Sequence, residues 1–333
     1  MLKTRNHVIT TSATNRQITV YPRIARIAKT NENKGINANF NQVLPCYKSA
    51  VPKTGENMSA SSQDLHEPSY VLRTGATAAA RLRLLDEVYG PASRQMMLEA
   101  GLTSGMRALD VACGIGRVSC WLSSQVGPTG SVVGIDLNKD QLDEAELEAK
   151  ATCNENNIVF LERSAYATGL PSESFDIIFC RYLLCHLTDP MDVIIEMYRL
   201  LKPGGSIVCV DIDVTAIYSN PPSQAVARSI EVAMDAGKAL GVDYTFGRKL
   251  ASALLKSGFN SVTPRLDQPV YLTGPGKRMW EHTFYEAGPG IVATGASTQE
   301  EMDQLCRQLC ELALDPGVLM TPWGSIVCRA IKP

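Results

Sequence analysis

Two glycines and two carboxylates carry the first chemical signal in this chain. The stretch Leu109-Asp110-Val111-Ala112-Cys113-Gly114-Ile115-Gly116-Arg117 closes an apolar run with a glycine turn. Glycines at 114 and 116 let the backbone approach a ligand closely where a strand hands over to a helix N-terminus. A dinucleotide fold wants a third glycine or alanine at 119 for close helix–strand packing, and Ser119 stands there instead. Asp110, just ahead of the glycines, would repel a pyrophosphate but suits the ammonium of an amino-acid ligand. Twenty residues beyond Gly116, Asp136 closes Gly134-Ile135-Asp136-Leu137. A carboxylate there accepts hydrogen bonds from both hydroxyls of a ribose.

These residues need a scaffold, and the pattern around them supplies one. Apolar runs at 106–113, 131–137, 157–162, 175–181 and 206–212 read as five buried strands. Helical patterns at 117–126, around Glu144, Glu146 and Glu148, and at 189–201 separate them, the last ended by Pro203-Gly204-Gly205. Short β-branched runs alternating with helices mean βαβ units and a parallel sheet covered on both faces. The expected class is α/β, a doubly wound, mostly parallel seven-stranded sheet of Rossmann-like type with helical cap insertions. Before it, residues 76–88 and 91–100 read as helical. After it, 221–240 and 247–256 are helices, 261–271 a strand and 323–332 the last strand. Between those two strands, 279–314 is largely helical, with a glycine-rich break at 288–295.

Bulk composition narrows the partners. The chain has 333 residues, 45% hydrophobic and 20% charged, with net charge −2. Residues 1–57 carry nine Lys/Arg against two Glu, a balance of +7, which leaves −9 on 58–333. A polyanion-binding face on the folded part is not expected, so no nucleic-acid partner is assigned. No run reaches the ~18 apolar residues that span a bilayer. The cysteines at 113, 120, 180, 185, 209 and 328 fall on strands or helix faces that read as core, and the pattern suits a reducing compartment. Cys306 and Cys310 read as packing, and no metal site is assigned. A cytoplasmic place is expected, with organelle import through 1–57 as the alternative. That segment reads as a disordered or targeting leader, since its first 31 residues hold four arginines and no acid.

At motif level, residues 68–262 resemble the class I S-adenosylmethionine-dependent methyltransferases, nearest the ubiquinone/menaquinone-biosynthesis C-methyltransferase-like group. The resemblance rests on Gly101-Leu102-Thr103-Ser104-Gly105-Met106-Arg107, the Asp110–Gly116 turn and Asp136. It continues through Leu170-Pro171, Phe175-Asp176, Arg181 to His186-Leu187, Asp189-Pro190 and Leu201-Lys202-Pro203-Gly204-Gly205. It implies S-adenosylmethionine as cofactor, with Asp110, Ala112 and the Gly114–Gly116 backbone at its methionine end, Asp136 on the ribose and Leu137 on the adenine. The family usually reads Asp-Ala after its third strand; Ser164-Ala165 stands here and takes the adenine contacts. Arg181 either lines the sulfonium region or forms a strand-end salt bridge. Tyr70 resembles the segment that closes over the cofactor, its phenol reaching the methionine carboxylate.

Residues 58–333 are thus expected to form one methyltransferase domain, with acceptor-cap segments at about 68–100, 214–246 and 276–320. Tyr218, Tyr244, Phe246, Trp280, Phe284 and Tyr285 lie in them and favour a small apolar or aromatic acceptor. Trp323 reads as core. His186 is the candidate general base, and His282 sits within the aromatic cluster of the cap. Three other classes share parts of the pattern: a non-catalytic S-adenosylmethionine-binding protein, an NAD-dependent dehydrogenase, and a cyclase using the sulfonium only as charge. The methylated atom and the oligomeric state are not legible.

Overall fold

The structure, a computed structural model, describes residues 72, 76–152 and 157–333, all within the compact unit Asp64–Pro333. Tyr70 and the segment 1–57 lie outside the described residues. The chain begins with α1 (Ala76–Glu99), β1 (Arg107–Val111), α2 (Arg117–Val126), β2 (Ser131–Asp136), α3 (Lys139–Thr152) and β3 (Ile158–Glu162). Then come β4 (Phe175–Arg181), α4 (Pro190–Leu200), β5 (Leu201–Asp213), β6 (Tyr218–Asn220), α5 (Gln224–Leu240) and α6 (Gly247–Lys256). The last part holds β7 (Asn260–Asp267), α7 (Met279–Thr294), α8 (Gln299–Leu314), β8 (Leu319–Thr321) and β9 (Gly324–Ile331).

The strand order is β3-β2-β1-β4-β5-β9-β7. β1 to β5 pair in parallel, and β9 runs antiparallel between β5 and β7. Side chains two apart on a strand share a face, and the core obeys that period. Leu109, Val111, Ile178, Cys180, Ile207 and Cys209 pack with α4 and α6. Their neighbours Ala108, Ile177, Phe179, Val208 and Val210 pack with α1 and α2. Both faces are therefore buried, as a parallel sheet requires. A separate apolar cluster joins the first half of α1 to α5, α7 and α8 around Trp280, Phe284 and Trp323. The described cysteines are free thiols, and six of the eight are buried. No helix of the described residues is long and apolar enough to cross a membrane.

Three local expectations change. α1 is one continuous helix through Pro91. The glycine-rich stretch at 288–295 does not break α7: Gly288 is buried beside the Met302 side chain of α8, and only Gly295, in the left-handed region at φ 77°, ends the helix. Packing between the two helices overrides the local propensity of Gly288-Pro289-Gly290. Finally, Pro203-Gly204-Gly205 does not separate helix from strand. Leu201 already pairs with Phe175, and the register then jumps to Ile177 with Ser206, so the Pro-Gly-Gly run is a bulge. The β6–β8 ribbon has no counterpart in the sequence reading.

Candidate active site

The chain leaves β1 for β2 and β3 on one side and returns to β4 on the other, so β1 and β4 flank the switch point of the sheet. Ligands of open α/β sheets bind outside the carboxyl ends of the strands at such a point. A cavity of about 610 Å³ lies there, within the size range of small-molecule sites. Ala112, Gly114, Ile135, Asp136, Leu137 and Asn138 form one part of its wall. Leu72, Arg81, Leu82 and Leu85 contribute from the N-terminal side, and Tyr244, Trp280, Thr283, Phe284, Ala287 and Ile291 from the cap.

The two glycines of the turn serve different purposes. Gly114 (φ 55°) lines the cavity, and a Cβ there would meet mainly the Gln141 Oε1 at 3.3 Å. Gly116 (φ 73°) lines neither the main cavity nor its neighbour. A Cβ on it would come within 2.8 Å of Ala145 and of the Phe160 ring, so glycine is required for packing against α3 and β3.

Asp136 is anchored before any ligand arrives. Its Oδ2 accepts the Gly114 N–H at 2.9 Å and its Oδ1 the Asn138 N–H at 3.0 Å. A carboxylate offers about four lone-pair sites, so acceptor capacity remains beyond the Gly114, Asn138 and Leu137 backbone N–H groups. Burial raises its pKa, against those backbone N–H groups, which lower it. Asn138 in turn accepts the Gln141 N–H at 2.9 Å at the start of α3.

Asp110 lies off the main cavity. It lines an adjoining one of about 60 Å³ together with Ala112, Gly114, Arg117 and Arg181. Burial pushes its carboxyl up to about 7, even though the Ser119 hydroxyl donates to it at 2.6 Å. Ser119, the departure from the dinucleotide pattern, is thus the partner of Asp110. Arg181 lines both cavities and donates Nη2 to Asp86 Oδ1 at 3.2 Å. Asp86, only 2% exposed at its side chain, also receives Arg94 at 2.5 Å and Arg117 at 3.3 Å. Burial would raise its pKa, but Arg181 and then Arg94 outweigh that and hold it below the ordinary value. Arg181 therefore does form the strand-end salt bridge, and its buried Nη1 has no hydrogen-bond partner among the described residues.

The remaining expected residues divide. Leu137, 48% exposed, and Ala165 line the cavity, whereas Ser164 does not. Its hydroxyl accepts the Tyr166 N–H at 3.3 Å, closing its own turn. His186 lines the cavity from the short 3-10 turn Leu184–His186, its ring edge-on to Tyr244 at 5.5 Å. Burial first, and the charge of Arg81 second, push its pKa down to about 4, so its imidazole is neutral near pH 7. His282, Phe246, Tyr218 and Tyr285 are not in the wall, and Phe246 belongs to the sheet core instead. Trp323, read from sequence as core, does line the cavity; Tyr89 stacks on it at 5.4 Å and its hydroxyl donates to the Trp323 carbonyl. Arg81, Asp86 and Tyr182 had no local signal in the sequence.

Residues 109–209 match the family described as methyltransferase domain. A demethylmenaquinone methyltransferase of Lactococcus lactis is 36% identical over 115 residues, 34% of this chain and 45% of that protein. One from Staphylococcus aureus is 35% identical over 118 residues, 35% of this chain and 48% of that protein. The chain spans about half the length of the curated relatives it matches. Among solved structures, a Haemonchus contortus phosphoethanolamine N-methyltransferase 2, in complex with phosphomonomethylethanolamine and S-adenosylhomocysteine, shares the fold. It aligns with a TM-score of 0.50 at 17% identity, over 78% of this chain and 58% of that one.

Proposed function

We propose that this chain, whose residues 109–209 match the methyltransferase-domain family, is a class I S-adenosylmethionine-dependent methyltransferase that transfers a methyl group from S-adenosylmethionine to a small apolar or aromatic acceptor. The observation that carries this reading is a single cavity running from Asp136 and Leu137 at the glycine turn to Trp280 and Phe284 in the cap. The Asp136 carboxylate and an aromatic pocket share one continuous wall, which supports a ribose at one end and a ring at the other.

The residues present fit the cofactor. Asp136 has acceptor capacity left for ribose hydroxyls, and Gly114 leaves room for close backbone approach. Leu137 and Ala165 take the adenine. Asp110 and the unpaired Nη1 of Arg181 take the ammonium and carboxylate of the methionine end, on either side of the smaller cavity. When bound, the cofactor supplies an activated methyl on a sulfonium. The protein holds the acceptor close to that position and keeps water away. Leu82, Leu85, Trp280, Phe284 and Ile291 form the apolar wall that does so. His186, neutral near pH 7, is placed to receive a proton from the acceptor. At a pKa of about 4 it is a weak base, suited to an acceptor that is already nucleophilic.

The cap residues lie outside 109–209, so the acceptor class rests on this cavity. The names of the two curated relatives support a quinone-like ring. The test is transfer of labelled methyl from S-adenosylmethionine into the organic-soluble fraction of a cell extract by the full chain. Label in a small organic product, absent with Asp136→Ala, is expected. Bound cofactor with no label leaving it, across extracts, would contradict the transferase reading.

A further inference from the structure

A buried ion pair joins α1 to α7 beside the acceptor end of the cavity. Arg81 Nε donates to Glu286 Oε2 at 2.6 Å, and both side chains are 5% exposed. Arg81 also lines the cavity. Its Nη2 is buried and has no hydrogen-bond partner among the described residues. A guanidinium carries five N–H donors and no acceptor, and a buried donor left unmade is a standing cost to the fold. Such a cost at a cavity wall is offset when a ligand brings the missing acceptor.

Charge decides what kind. Glu286 already holds the guanidinium, so a second anion would have to share it, even though the Arg81 charge is still felt at His186. A carboxylate bound there would bring an uncompensated buried anion, whose desolvation is expensive. A neutral oxygen completes the Nη2 bond without that cost. Around the pair, Trp280, Phe284, Ala287 and Ile291 of α7 give an apolar wall suited to a flat ring.

We propose that Arg81 is a specificity-determining residue of the acceptor site, its free Nη2 N–H receiving a neutral carbonyl or hydroxyl oxygen on a conjugated ring. This rests on reading the cavity as a methyl-acceptor site. Glu286 positions the guanidinium and fixes which nitrogen remains available.

The test is equilibrium dialysis of 2-naphthol, 2-methylnaphthalene and 2-naphthoate against the full chain, with and without S-adenosylhomocysteine. The comparison protein is Arg81→Met with Glu286→Met, which removes both charges so that neither is left buried alone. Wild type should prefer 2-naphthol to 2-methylnaphthalene by about tenfold or more, the discrimination expected of one bond to a charged donor. The double variant should lose that preference while 2-methylnaphthalene binds within about threefold of wild type. Equal preference in both proteins, no saturable 2-naphthol binding, or tighter binding of 2-naphthoate than of 2-naphthol to wild type would overturn the assignment. Failure of S-adenosylhomocysteine to bind wild type would instead strike the cofactor reading, and is scored separately.

Discussion

Asp136→Ala is expected to weaken S-adenosylmethionine binding at least a hundredfold. Two backbone N–H groups, from Gly114 and Asn138, already hold the carboxylate. They leave it oriented, with acceptor capacity for vicinal hydroxyls. Hydrogen bonds to a charged group contribute about 1.5–3 kcal/mol each, so losing two costs about 3–6 kcal/mol. By the same measure, loss of the two backbone contacts should cost fold stability about 3–6 kcal/mol, less what is regained by no longer burying the carboxylate, so urea unfolding is measured beside binding to separate the two effects. Because burial raises the Asp136 pKa, the wild-type affinity should also weaken as pH is lowered toward that pKa, since the protonated acid accepts less well. Calorimetric binding that stays within tenfold of wild type in the alanine variant would show that the ribose lies elsewhere.

Asp86→Ala should be among the most destabilising single substitutions in the chain, at about 3–5 kcal/mol. Asp86 is the shared anion of Arg94, Arg117 and Arg181, and its removal leaves Arg181, with a side chain 10% exposed, as an unpaired buried cation. The pH dependence has a definite sign. The folded-state pKa lies below the ordinary 3.8, so the stabilisation is complete above pH 3.8 and is lost as pH falls through the folded value. The gap in urea midpoint between wild type and Asp86→Ala should therefore be wide at pH 7 and close only in strong acid, below the ordinary 3.8, as pH falls through the folded-state pKa. A gap of the same size in both conditions would place the effect in packing and not in the ion pairs. Asp110 has the opposite sign: raised to about 7, its ionisation opposes folding as pH rises through that value, until a bound ammonium compensates it.

The sheet was legible because its strands are short, β-branched and buried on both faces, and the helices between them keep one period. Asp136 could be placed because one βαβ unit separates it from the glycine turn, so a local distance in sequence becomes a fixed distance in space. The reading was less sharp where two residues of one type serve two purposes, as Gly114 and Gly116 do. It could not reach contacts made between distant segments. Arg81 and Glu286 are 205 residues apart, and Asp86 meets Arg181 across 95; no periodicity connects such pairs. Trp323 follows the same apolar grammar as core residues and is indeed buried in the cap cluster, while its second place, in the cavity wall, has no sequence signal of its own. At 288–295 the local preference of glycine and proline pointed to a break, and tertiary packing of Gly288 against Met302 prevailed.

The most direct test is calorimetric titration of the full chain with S-adenosylmethionine and, separately, with NADH. Saturable binding of S-adenosylmethionine alone is the predicted result, since Ser119, bonded to Asp110, stands where the dinucleotide pattern needs a third glycine or alanine. Binding of NADH, or of neither ligand, would contradict the account.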